Sequence, residues 1–201
     1  MKAHIIVLLV LVMTVSCTPN DNSVTEPSEQ EKLFIDSIGN TISTSLKLAL
    51  QKNLSDAIKN QGLIPAIEFC KQEALVLTDE VANSSAYKIE LKRTSFKYRN
   101  PQNAPDEFEE LALKYYEKMI LEDSDFSASY IQKIRGDQSA YFYYYQPLKT
   151  GSVCIVCHGE PENIDPSIAS LLVDKYPNDK AIGYMEGDFR GLIRVKVTPE
   201  E

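Results

Sequence analysis

Cys154-Ile-Val-Cys157-His158 is the part of this sequence whose residue types and spacing suit covalent chemistry. Two thiols three residues apart, followed at once by an imidazole, form the pattern through which haem is attached to a chain. Each thiol adds across one vinyl group, and the adjacent His reaches the iron because the short spacer curls the backbone beneath the porphyrin. The motif predicts one covalent haem c, held by Cys154 and Cys157 with His158 as an axial ligand. Two other chemistries use the same residue types. A Cys154–Cys157 disulfide leaves His158 without a role. A Cys3His zinc site drawing on Cys70, Cys154, Cys157 and His158 has suitable ligands. However, consecutive Cys157 and His158 rarely converge on one tetrahedral ion, and a second CxxC is missing.

The second axial position is constrained by composition. The chain has two His, and His4 lies in the N-terminal export segment described below. A bis-His haem within one processed chain is therefore excluded. Met119, Met185, Cys70, a Tyr, a Lys and an open site all remain. Cys70 is an unpaired thiol on the apolar face of a helix, and in an oxidising compartment such a thiol must be occupied or shielded. It also reads as a small buried hydrophobe. Met119 follows Tyr115 and Tyr116 by one helical turn and reads as core. Met185 lies in a polar loop. Arg93 falls on the apolar face of a strand, where a buried guanidinium needs an anionic partner such as a haem propionate.

The N-terminus supplies independent support. MKAHIIVLLVLVMTVSC has a positive start, an apolar run and small residues before Cys17. That is the layout of a signal peptide over residues 1–16, too short to span a bilayer. Cys directly after small residues resembles a bacterial lipobox, with Thr14 where Leu is usual, so Cys17 is the candidate lipidated residue. Residues 17–30 are polar with two Pro and read as a flexible tether. Haem c is attached outside the cytoplasm, so export and the CxxCH pattern agree.

The elements that must position these residues follow from periodicity. Apolar residues recur every four from Ile38 to Ile58, predicting a long amphipathic helix from Glu29 to Asn60 that Gly39 weakens and Gly62 ends. A second helix from Pro65 to Ala82 turns Cys70 inward. Tyr87–Thr94 alternates as a strand. A helix is expected from Pro105 to Leu121, capped by Asn103 or Ala104. Tyr130–Arg135 and Ala140–Leu148 flank Gly136-Asp137 as a hairpin. Alternation places Tyr141, Tyr143 and Tyr145 on one face and Phe142 and Tyr144 on the other. One set is expected to wall a haem pocket or simply to fill the core. Asp165 caps a short helix to Tyr176, and Leu192–Val197 is a final strand. This order predicts an α+β fold, an antiparallel sheet with helices off one side, in one domain over residues 31–201.

Four stretches resemble a known family: IPAIEFCKQEA (64–74), LKRTSFKYRNPQNAPDEFE (91–109), PLKTGSVCIVCHG (147–159) and YPNDKAIGYMEGDFRGLIRV (176–195). With their spacers they cover nearly the whole of residues 29–198. The family is that of c-type haem proteins with a PAS-like fold, first described in a cyanobacterial cytochrome and often found as extracytoplasmic input domains of signalling proteins. The resemblance implies a PAS-like antiparallel sheet preceded by two long helices. It also implies His158 and Cys70 as the axial pair.

Composition narrows the function. Twenty-nine acidic residues outweigh 21 basic ones, a net charge of -8, which argues against nucleic acid as a partner. A thiolate opposite an imidazole favours ferric iron and a low potential. Electron transfer and redox or diatomic-gas sensing are the expected roles, with a redox partner protein or a membrane signalling protein as partner. A peroxidase-like enzyme would need an open iron site and is the weaker reading. The expected location is the periplasm-facing side of the bacterial envelope, at the outer rather than the inner membrane, through the Cys17 lipid.

Overall fold

A computed structural model describes residues 23–136 and 139–199, with the backbone alone at 69–72. The chain begins with a short strand β1 (Val24–Thr25), then helices α1 (Glu29–Gln61) and α2 (Leu63–Asn83). Strand β2 (Ile89–Thr94) and helix α3 (Glu107–Leu121) follow. The hairpin β3 (Tyr130–Arg135) and β4 (Ala140–Lys149) leads into α4 (Ser152–His158), α5 (Pro166–Lys175) and β5 (Phe189–Val197). The five strands form one open sheet in the order β1-β3-β4-β5-β2, every neighbouring pair antiparallel. The α+β, PAS-like arrangement with a long N-terminal helix is therefore present.

Local chemistry explains the boundaries. Ser28 caps α1: its hydroxyl accepts from Glu31 N–H while the Glu31 carboxylate accepts from Ser28 N–H. At 33 residues α1 is about 50 Å long. It ends at Gly62, whose φ of 91° lies in the left-handed region that favours glycine, and the chain turns straight into α2. Helix α3 starts later than the sequence suggested. Asn103 belongs to a 3-10 turn (Pro101–Asn103), and Ala104, which precedes Pro105, is extended. Asp106 is the true cap, in a reciprocal box with Glu109. Asp165 caps α5 as expected.

Three further expectations change. Helices pack on both faces of the sheet, not one. Ile35, Ile38 and Leu46 of α1 bury against Phe142, Tyr144, Ile193, Val195 and Val197. On the opposite face, Phe108, Ala112, Leu113 and Tyr116 of α3 meet Tyr143, Tyr145 and Leu192. Alternation along β4 thus sends each tyrosine set into a core, and neither set lines the cavity described below. Strand β2 starts at Ile89 rather than Tyr87, while β5 starts at Phe189, because pairing continues past a bulge to Lys149. Within the stretch read as a tether, Val24 and Thr25 pair with Ile134 and Lys133 as an edge strand. Cys17 and the rest of the export segment lie outside the described residues. Among the described residues, no helix is long and apolar enough to cross a membrane.

Candidate functional site

The end of β4 delivers the chain into α4, and all three residues of the CxxCH motif that carry chemistry lie on that helix. Cys154 and Cys157 are one turn apart, so they share a face. Both thiols are free. They line a cavity together with His158 and Arg93. The cavity has a volume of about 250 Å³, against the roughly 10–15 Å³ that one water needs, so it has room for a large organic group. Leu54 and Ile58 of α1, Leu63, Ala66 and Ile67 of α2, and Leu192 of β5 supply its apolar wall. Helix α5 braces that wall from behind, packing Ile168 and Leu172 against Ile67, with Cys157 at the edge of the cluster.

Cys70 lies on α2, three and four residues beyond the cavity-lining Ile67 and Ala66; its side chain lies outside the description. Neither methionine considered as a ligand lines the cavity. Met119 packs into the α3 core, and Met185 is 67% exposed in its loop. Among the described residues no three His, Cys, Asp or Glu side chains are grouped closely enough to hold a metal ion, so Cys154, Cys157 and His158 do not by themselves form the alternative zinc site.

The His158 ring is held in one orientation. Its Nδ1 lies 2.6 Å from the carbonyl oxygen of Ala181. A carbonyl only accepts, so Nδ1 carries the proton and Nε2 is left with the lone pair that binds metals. Tyr184 packs edge-on against the ring, and the backbone pairs Tyr184 N–H with the His158 carbonyl at 3.0 Å. Part of the imidazole stays open to the cavity, yet dense protein surrounds the remainder. Burial first, then the nearby guanidinium charges of Arg99 and Arg190, hold its basicity well below that of free histidine, against the opposing Ala181 hydrogen bond. The ring is therefore neutral, as a ligand must be. Burial also pushes the Cys157 thiol up, keeping it protonated.

Four residues of the site carried no signal in the sequence taken alone. Arg99 donates from Nη2 to the carbonyls of Cys157 (2.6 Å) and Ala181 (3.2 Å) and from Nε to Asp179 (2.9 Å). Arg190 lines the cavity and donates to the Lys97 carbonyl. Asp179 and Arg99 are 80 residues apart, so no local spacing relates them. Thr94 Oγ1 is buried at the cavity wall without a hydrogen-bond partner among the described residues.

A family model for Tll0287-like proteins matches residues 20–198. The chain belongs to the Tll0287-like family. A solved structure described as the cyanobacterial heme-protein Tll0287 superposes with a TM-score of 0.58 and 19% identity, over 88% of this chain and 98% of that one. At that identity the likeness is one of fold. No curated protein sequence matches the chain. Within this member of the family, the CxxCH helix, the apolar wall and the arginines meet at one cavity.

Proposed function

We propose that this chain is an exported c-type cytochrome, binding one haem covalently and serving electron transfer or redox and diatomic-gas sensing. The observation that carries the reading is the meeting of both motif thiols and an Nδ1-protonated imidazole at one large apolar cavity. The donor set fits the group. Cys154 and Cys157 supply the thioether sulfurs, and His158 supplies a neutral nitrogen ligand. Arg93 and Arg190 offer cations to the two carboxylates that haem carries. The orphaned Thr94 hydroxyl is a polar atom that a bound group would satisfy.

Cys70 is the proposed opposite ligand. Support comes from its helix, which presents Ala66 and Ile67 to the cavity one turn earlier, and from the absence of methionine among the described residues of the lining. Relatedness to a protein described as a heme-protein supports haem as the bound group. Bound haem supplies a one-electron ferric–ferrous couple. The chain's own part is to hold the group, exclude water with Leu54, Ile58, Leu63 and Leu192, and keep the His158 proton on Nδ1. A Cys17 lipid would hold the domain at the envelope membrane, where a redox or signalling protein would meet it.

The full chain should be produced in cells equipped for haem c attachment. A red product whose haem survives denaturation, lost when Cys154 and Cys157 are both changed to Ala, is expected. Cys70→Ala should change the oxidised spectrum and ease CO binding to the reduced form. A colourless wild-type product overturns the reading; an unchanged Cys70→Ala spectrum removes only the thiolate ligand.

A further inference from the structure

The carbonyl oxygen of Ala181 serves two donors at once. His158 Nδ1 lies 2.6 Å from it and Arg99 Nη2 lies 3.2 Å from it. The same Arg99 nitrogen holds the Cys157 carbonyl at 2.6 Å. Asp179 closes the circuit: one carboxylate oxygen accepts from Arg99 Nε at 2.9 Å and the other from Ala181 N–H at 2.7 Å. Arg99 and Asp179 side chains are only 11% and 13% exposed, so solvent screens this pair weakly. The guanidinium thus ties the motif helix to the loop whose carbonyl orients the ligand imidazole.

We propose that Arg99 is a positioning residue of the haem site, which fixes the His158 ring through Ala181 and limits how much negative charge the imidazole gathers. The proposal rests on the haem reading above. An imidazole that donates strongly from Nδ1 becomes a more anionic, stronger iron ligand. A carbonyl already engaged by a cationic donor is a poorer acceptor for that proton. Arg99 therefore restrains the donation, and a weaker donor stabilises ferric iron less. The positive charge of the guanidinium acts in the same direction, and the Asp179 carboxylate acts against it.

The test uses haem-loaded full-length protein with two readouts: the midpoint potential, and the Nδ1–H proton resonance of His158 in reduced protein labelled with 15N-histidine. Arg99→Gln is expected to lower the potential and move the resonance downfield, as the hydrogen bond to Ala181 strengthens. Asp179→Asn is expected to raise the potential, because the guanidinium is left uncompensated. A purely structural loosening would move both variants the same way. Same-direction shifts, or no shift in either, overturn the proposal while leaving haem binding intact. Should Arg99→Gln fail to fold, Arg99→Lys keeps the charge but cannot span both carbonyls, and it should still move the resonance downfield; an unmoved resonance overturns the proposal. Wild-type protein without haem would sink this proposal and the reading beneath it together.

Discussion

Gly39 on α1 sits directly against the ring of Tyr144 on β4, where a Cβ would overlap the ring carbons. Read as a weak point in a long helix, this glycine is instead what lets α1 lie close on the sheet. Alanine is worth about 1 kcal/mol over glycine in a helix interior, but overpacking a core costs about 1–3 kcal/mol. Gly39→Ala should therefore lower the urea midpoint despite its better propensity. A stabilised variant would show that Tyr144 yields freely.

Glu109 is fully buried between Lys92 Nζ at 2.6 Å and Arg194 Nε at 3.1 Å, while it also caps α3. Neutralising it would leave half-buried Lys92 without its carboxylate and buried Arg194 with only the more distant Glu90 at 3.9 Å. Glu109→Gln should destabilise the fold by about 3–5 kcal/mol, measured by chemical denaturation. A loss below about 1 kcal/mol would mean that water reaches the cations.

Haem-free protein should lose stability on mild acidification. Folding lowers the proton affinity of His158 from its ordinary value of 6.5, chiefly by burial. Below pH 6.5 the unfolded chain takes up a proton that the folded chain refuses, so stability falls as pH falls. The lowered carboxylates contribute at lower pH, around and below the ordinary values of 4.5 for Glu31 and 3.8 for Asp56, Asp125 and Asp165. The slope between pH 6.5 and 4.5 is therefore assigned to His158, and denaturation of His158→Gln over that range should be flat. A slope that survives the substitution would place its origin elsewhere.

Lipidation is tested separately from haem. Cells fed a radiolabelled fatty acid should label the wild-type protein and not Cys17→Ser, with the variant recovered in the soluble envelope fraction. Equal labelling of both would remove the anchor.

Much of the architecture was legible because it is written in local spacing. A four-residue apolar period places α1 to within a residue of its observed ends, and Gly62 and Asp165 mark their boundaries by backbone freedom and capping. Alternation correctly divided the tyrosines of β4 between two faces. Helix α3 was misplaced at its start because Asn103 is an equally plausible cap until the extended Ala104–Pro105 step is considered.

By itself the sequence determined the motif, most of the helices and strands, and the inward sides of α1 and β4, since these depend on residues within one or two turns of each other. If residues 1–16 are removed as proposed, His158 is the one histidine left in the chain. Only the tertiary structure decided which tyrosines stay out of the cavity, that helices cover both sheet faces, and that Arg99 and Asp179 meet behind His158. Those relationships depend on how helices and strands distant in the chain pack against one another. Hydrogen-bond partners 80 residues apart leave no periodic trace for a single sequence to show.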